Sequence, residues 1–116
     1  MPGGNRYQEV RPITRAKAEV DLVSAIPTTR IDALLSLAYH DPELDWVQDR
    51  CLQFTEDPDP GVRRMAVLCF GHLARIHQKL DLNRVLPILH RLVNDPLIAG
   101  DVNDTLDDIE VFIDRR

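Results

Sequence analysis

The sequence predicts an all-α fold of about six helices, and three observations carry that expectation. Turn-forming residues cut the chain into segments of helical length. Apolar residues inside those segments recur at three- and four-residue spacing, and no stretch alternates in the manner of a strand. A chain of 116 residues supports one small domain with a modest core.

The punctuation lies at Ile26-Pro27-Thr28-Thr29, His40-Asp41-Pro42, Asp57-Pro58-Asp59-Pro60-Gly61, Leu80-Asp81-Leu82-Asn83 and Asn94-Asp95-Pro96. It predicts helices near 14–25, 29–39, 43–55, 60–78, 83–94 and 99–113, in a domain over 13–116 behind a flexible tail at 1–12. In the third helix Leu44, Val47, Cys51 and Phe54 form the apolar stripe. In the fourth, Val62, Ala66, Cys69, Leu73 and Ile76 do so, widened by Met65 and Phe70. Val85, Leu86, Leu89 and Leu92 serve the fifth, and Val102, Leu106, Ile109 and Ile113 the sixth. Pro60 and Pro96 sit at or before a first turn, where a missing N–H costs nothing, and the aspartates before them can cap free amides. Cys51 and Cys69 occupy core-type positions and read as reduced, buried thiols.

Short connections make consecutive helices antiparallel hairpins, and internal similarity identifies the unit. Setting Pro27 against Pro60 aligns Arg30 with Arg63, Ala33 with Ala66, Leu34-Leu35 with Val67-Leu68 and Leu37-Ala38 with Phe70-Gly71. A weaker third copy sets Pro96, Ile98 and Val102 against Pro60, Val62 and Ala66, with Asp101 failing to continue the arginine position. The period of about 33 to 36 residues is that of a two-helix repeat.

With these residues in place, the chain resembles the HEAT repeat family. That pattern includes a proline in the first helix, an aspartate in the turn and an arginine six residues further on. Pro87 and Asp95 match the first two in the third unit, and Asp57 and Arg63 match the last two in the second. The resemblance covers about residues 14 to 113 and implies three HEAT-like hairpins in a short right-handed α-solenoid. It also implies that Asp57 and Arg63 bond between neighbouring turns, with Pro87 and Asp95 in the same structural ladder.

Charge bounds the function. Fourteen basic and nineteen acidic residues give −5, and all of the excess lies in 95–116, where seven acids face only Arg115 and Arg116. Nucleic acid is disfavoured, because phosphate binding needs a basic footprint. A basic protein partner, such as a toxin or an enzyme, is favoured. Met1 to Pro12 hold no secretory core and no run could span a membrane, so a bacterial-type cytoplasmic location is expected. Of the four histidines, His72 and His77 share a helix at a spacing unsuited to a metal, and no cofactor is expected. His72 reads as a surface residue. No nucleophile elbow, phosphate loop or cysteine–histidine arrangement marks an enzyme.

Surfaces remain. Arg64, Leu68, His72, Arg75 and Lys79 fall on one side of the fourth helix as a basic strip, which is either a solvated face or, by the resemblance, part of a binding groove. Trp46 lies off its helix's apolar stripe and either packs on the preceding hairpin or anchors a partner. Asp101, Asp104, Asp107, Asp108, Glu110 and Asp114 surround the last helix as a solvated cap or as a patch for a basic partner. The expectation is a non-catalytic protein-binding module, monomeric or weakly dimeric, in the manner of an immunity protein that neutralises a toxin. The competing expectation is a HEAT-like lyase-type enzyme or accessory subunit.

Overall fold

Pro27 and Pro60 each stand at the start of a helix, where the absent N–H removes nothing from the hydrogen-bond ladder. The computed structural model describes residues 10–113 and forms six helices and no strand among them. They are α1 (Arg15–Leu22), α2 (Pro27–His40), α3 (Leu44–Phe54), α4 (Pro60–His77), α5 (Leu82–Leu92) and α6 (Ala99–Phe112), within three residues of the expected bounds. Thr14 caps α1 by accepting from the Lys17 amide, and Asp59 caps α4 by accepting from that of Val62 at 3.0 Å. Gln78, at φ 54°, turns into the left-handed region and stops α4.

The helices pair as α1–α2, α3–α4 and α5–α6, and the pairs join chiefly through α4, which packs between α2 and α6. Because α4 is covered on both flanks, its buried arc is wider than its apolar stripe. Val62, Ala66, Val67, Cys69, Phe70, Leu73 and Ala74 are all fully buried, whereas Ile76, expected in the core, is 45% exposed. Gln48 of α3 is buried and accepts from the Asp81 amide at 2.7 Å, tying the start of α5 to the middle pair. Cys51 and Cys69 are free and buried, and the Cys69 thiol donates toward the Leu34 carbonyl.

Two hydrogen-bond series step from unit to unit. In the first, Arg30 makes a bidentate pair with Asp57, at 3.0 and 2.9 Å, and donates to the Ser24 carbonyl. Arg63 repeats the pattern with the Asp95 carboxylate at 3.2 Å and the Asp57 carbonyl at 3.0 Å. Asp57 therefore serves two arginines, its carboxylate taken by Arg30 of the preceding unit and its carbonyl by Arg63 of its own. The expected Asp57–Arg63 link exists only through that carbonyl. Pro87 has no part in the series: it is exposed inside α5 and carries no N–H to donate. In the third unit Ala99, three residues past Pro96, stands at the arginine position, while Asp101 pairs with Arg64.

The second series links equivalent positions Ser36, Cys69 and Thr105. Thr105 donates to the Val67 carbonyl, Cys69 to Leu34, and Ser36 to Arg11. Val67 and Leu34 are themselves equivalent, so the extended strand of chain at Arg11 fills the place that a preceding helix would take. His40 also bonds the Val10 carbonyl, at 2.6 Å. Residues 10–12 thus run as a strap against α2; of the tail expected at 1–12, residues 1–9, like Asp114, fall outside the described residues.

Stability should follow burial of the arginine pairs. Arg30→Ala leaves Asp57 nearly buried and unpaired, at a cost of about 3 kcal/mol. Arg63→Ala should cost about 1–2 kcal/mol, and Arg64→Ala, whose guanidinium is mostly exposed, less than about 0.5 kcal/mol. Urea unfolding of the three variants checks the order, and equal midpoints would remove the structural role of the ladder. Ala66→Leu, in a fully packed position, should lose about 1–3 kcal/mol by overpacking.

Candidate partner-binding face

The side of the molecule turned away from α1, α3 and α5 is built by α2, α4 and α6 lying side by side. The repeat alignment puts their outward residues in register, so that each row crosses all three helices. Ile31, Arg64 and Gly100 form one row, Leu35, Leu68 and Asp104 the next, and Tyr39, His72 and Asp108 the third. All are half-buried or exposed.

Geometry in the third row is tight. The Tyr39 ring meets His72 edge-on at 4.9 Å, and Arg75 Nη2 lies 3.3 Å from His72 Nδ1. Across the α4–α6 contact, a Cβ on Gly71 would lie 2.9 Å from an Asp108 carboxylate oxygen, so α6 approaches where α4 has no side chain. Burial and the Arg75 charge lower the His72 pKa, and Asp108 opposes them. His72 is therefore a half-buried imidazole held toward its neutral form, not the plain surface residue expected.

The residues selected from sequence scatter differently over this frame. Arg64 reaches Asp101 of α6 at 2.9 Å, and Arg75 leans on His72. Lys79 lies beyond the left-handed Gln78, outside α4, so the basic strip ends at Arg75. Asp104 and Asp107 are exposed and have no ion-pair partner among the described residues, whereas Asp108 packs on Gly71. The acidic end is thus partly internal: Asp95 and Asp101 are already paired with Arg63 and Arg64. Trp46 is elsewhere. Its ring lies beneath the Arg15 guanidinium at 4.5 Å, with Arg50 at 5.8 Å, so it packs on the preceding pair. Arg15 also grips Asp41 through two bonds, which, ahead of the Glu43 amide, hold that carboxyl below its ordinary pKa.

Sequence reasoning missed Leu35 and Tyr39, although the alignment of Pro27 with Pro60 places them opposite Leu68 and His72. A cleft of about 330 Å³ opens beside the strap, lined by Ile13, Asp21, Asp32 and Leu35 among others. Among the described residues no group of histidine, cysteine or acid is arranged to hold a metal, and no helix is long and apolar enough to cross a membrane.

No family model and no curated protein matches the chain. A solved structure does. One chain in the crystal structure of a CDI complex from Cupriavidus taiwanensis LMG 19424 is 35% identical, with a TM-score of 0.82 over 92% of this chain and 96% of that one. The present chain belongs to the same family as that component of the complex. With identity at this level along nearly the whole length, the three helix pairs and the face they build are properties of the family fold.

The histidine gives the face a pH signature. A pKa lowered in the folded state means that below about 6.5 the unfolded chain takes up a proton that the native chain resists, so stability falls with falling pH. Urea titrations from pH 7.5 to 5 should show this slope, and His72→Gln should flatten it. Asp41 acts in a separate window: its lowered pKa adds stability that is lost only as pH falls below the ordinary carboxylate range. An unchanged slope in His72→Gln would place the acid sensitivity elsewhere.

Proposed function

We propose that this chain is the immunity component of a contact-dependent inhibition pair, a non-catalytic cytoplasmic protein that binds a toxin and neutralises it. The observation that carries this reading is membership, at 35% identity over nearly all of both chains, in the family of a component of a CDI complex. The fold suits the task. Three helix pairs offer a broad face rather than an enclosed cleft, and such a face is suited to protein recognition. Acidic excess supports the same reading, since a net charge of −5 favours encounter with a basic partner and disfavours phosphate.

The finer reading is that the stack is a HEAT-type module. It is supported by the two successive arginine steps, Arg30–Asp57 and Arg63–Asp95, which use equivalent atoms in consecutive units.

Co-expression with the toxin domain of the same inhibition locus should restore growth to cells that the toxin alone arrests. The purified pair should run as one complex in size exclusion, with association slowing as salt is raised from 0.05 to about 0.5 M and screening shortens. Growth arrest by this chain expressed alone would make it the toxic component. Failure of the two proteins to form a complex would remove the reading altogether.

A further inference from the structure

Charge pairing is distributed unevenly over this molecule. On the side of α1, α3 and α5 the long cations meet acids of their own chain: Arg84 with Asp49, Arg91 with Glu56, Arg50 with Glu19, Lys17 with Asp21 and Arg15 with Asp41. On the side of α2, α4 and α6 two carboxylates stay open around an apolar row, whereas Glu43, Asp45 and Asp81 on the other side are open, among the described residues, without such a row between them. Arg64 is occupied by Asp101 and Arg75 leans on His72, whereas Asp32 and Asp104 have no ion-pair partner among the described residues. Between these two carboxylates lie Leu35 and Leu68, both half-buried, with Tyr39 and His72 in the row beside them.

The geometry points to this face as the toxin-docking surface, taking one or more lysine or arginine side chains of a basic partner whose stems lie over Leu35 and Leu68 and whose heads reach Asp104 and Asp32. This inference rests on the proposed immunity function and adds the surface and the chemistry it accepts. Long cationic side chains suit the row because their methylene stems cover apolar surface while the charged end stays near a carboxylate. Tyr39 supplies an aromatic anchor in the adjoining row: its ring is held edge-on by His72, and tyrosine is enriched among the residues that carry binding energy. The size also fits. α4 has 18 residues and α2 and α6 have 14 each, about 27 and 21 Å of helix, and at about 9 Å spacing they give about 600 Å², most of the roughly 800 Å² per partner of a standard interface.

Two other surfaces compete. The outer flank of α6 carries Asp107 beside Val111, and the end of α1 with the turn after it exposes Val20, Val23 and Ile26. Neither carries an aromatic ring, and Trp46, beside the exposed Asp45, is already covered by the Arg15 guanidinium. Each provides a rival variant.

Binding of the purified toxin domain would be followed by stopped flow and by surface-immobilised kinetics, with helical content checked by circular dichroism. Asp104→Lys should slow association at least tenfold at low salt, with the deficit shrinking at high salt. Leu68→Glu and Tyr39→Ala should each speed dissociation by tenfold or more. Asp107→Lys and Val23→Lys should stay within threefold of the parent. Parent-like kinetics in Asp104→Lys and Leu68→Glu, with the parent still binding, would overturn the inference and leave the proposed function standing. Loss of binding in Val23→Lys or Asp107→Lys alone would also overturn it, moving the interface to that end of the stack. If the parent itself binds no toxin domain, the function falls and the docking surface with it.

Discussion

Arg30 and Arg63 each span two turns at once, donating to a carbonyl in their own unit and to a carboxylate in the next. The spacing of the helix pairs depends on this double attachment. Apolar packing between α2, α4 and α6 is non-directional and would tolerate sliding, whereas a guanidinium fork meets a carboxylate in only one arrangement. Asp57 is the central joint, because it receives both arginines while its carboxylate also accepts from the Asp59 amide at 2.9 Å. That last bond sets the turn into α4. One residue therefore fixes a helix start and the unit spacing together.

The same ladder decides which charges face solvent. Asp57 and Asp95 are consumed by the ladder, and Asp101 is held by Arg64, so the acids at the end of the sequence do not act as one patch. What remains uncompensated is set by the rows across the even-numbered helices. On α6, among the described residues, Asp104 and Asp107 stay exposed without an ion pair. Asp104 lies in the row of Leu68, and Asp107, outside that row, is exposed.

Legibility followed range. Helix starts were readable because prolines and capping aspartates act within four residues, and the buried arc of α4 was readable through its periodicity. Arg63 was read as a structural residue bonded to Asp57, and its carboxylate partner is Asp95 instead. The local neighbourhood of Asp57 and Arg63 suggested a pair, but the fork of Arg63 crosses to Asp95 and the Asp57 carboxylate goes to Arg30. Nothing in Gln78 announced a left-handed residue, so Lys79 was carried along a helix that had already ended. Ile76 fits the apolar stripe, but its position on α4 faces outward once α2 and α6 cover the flanks. Tyr39 was recoverable, since aligning the two prolines sets it opposite His72.

The proposed role calls for a surface that is already formed, since each side chain ordered on binding subtracts from affinity. The two bond series meet that requirement from opposite directions: arginines fix the turns, and Ser36, Cys69 and Thr105 fix the helix flanks. The neighbouring Cys51 thiol, which favours the protonated form, and full burial push the Cys69 pKa well up, so the central rung stays a donor. The strap at Arg11 extends the second series to the outer edge of α2, which would otherwise be an open flank. Row residues are therefore presented by helices that cannot shift independently. Specificity then arises from the pattern within the rows, where carboxylates stand beside Arg64 and Arg75. A partner whose cations are displaced by one row would meet guanidinium instead of carboxylate, and that like-charge contact rejects it.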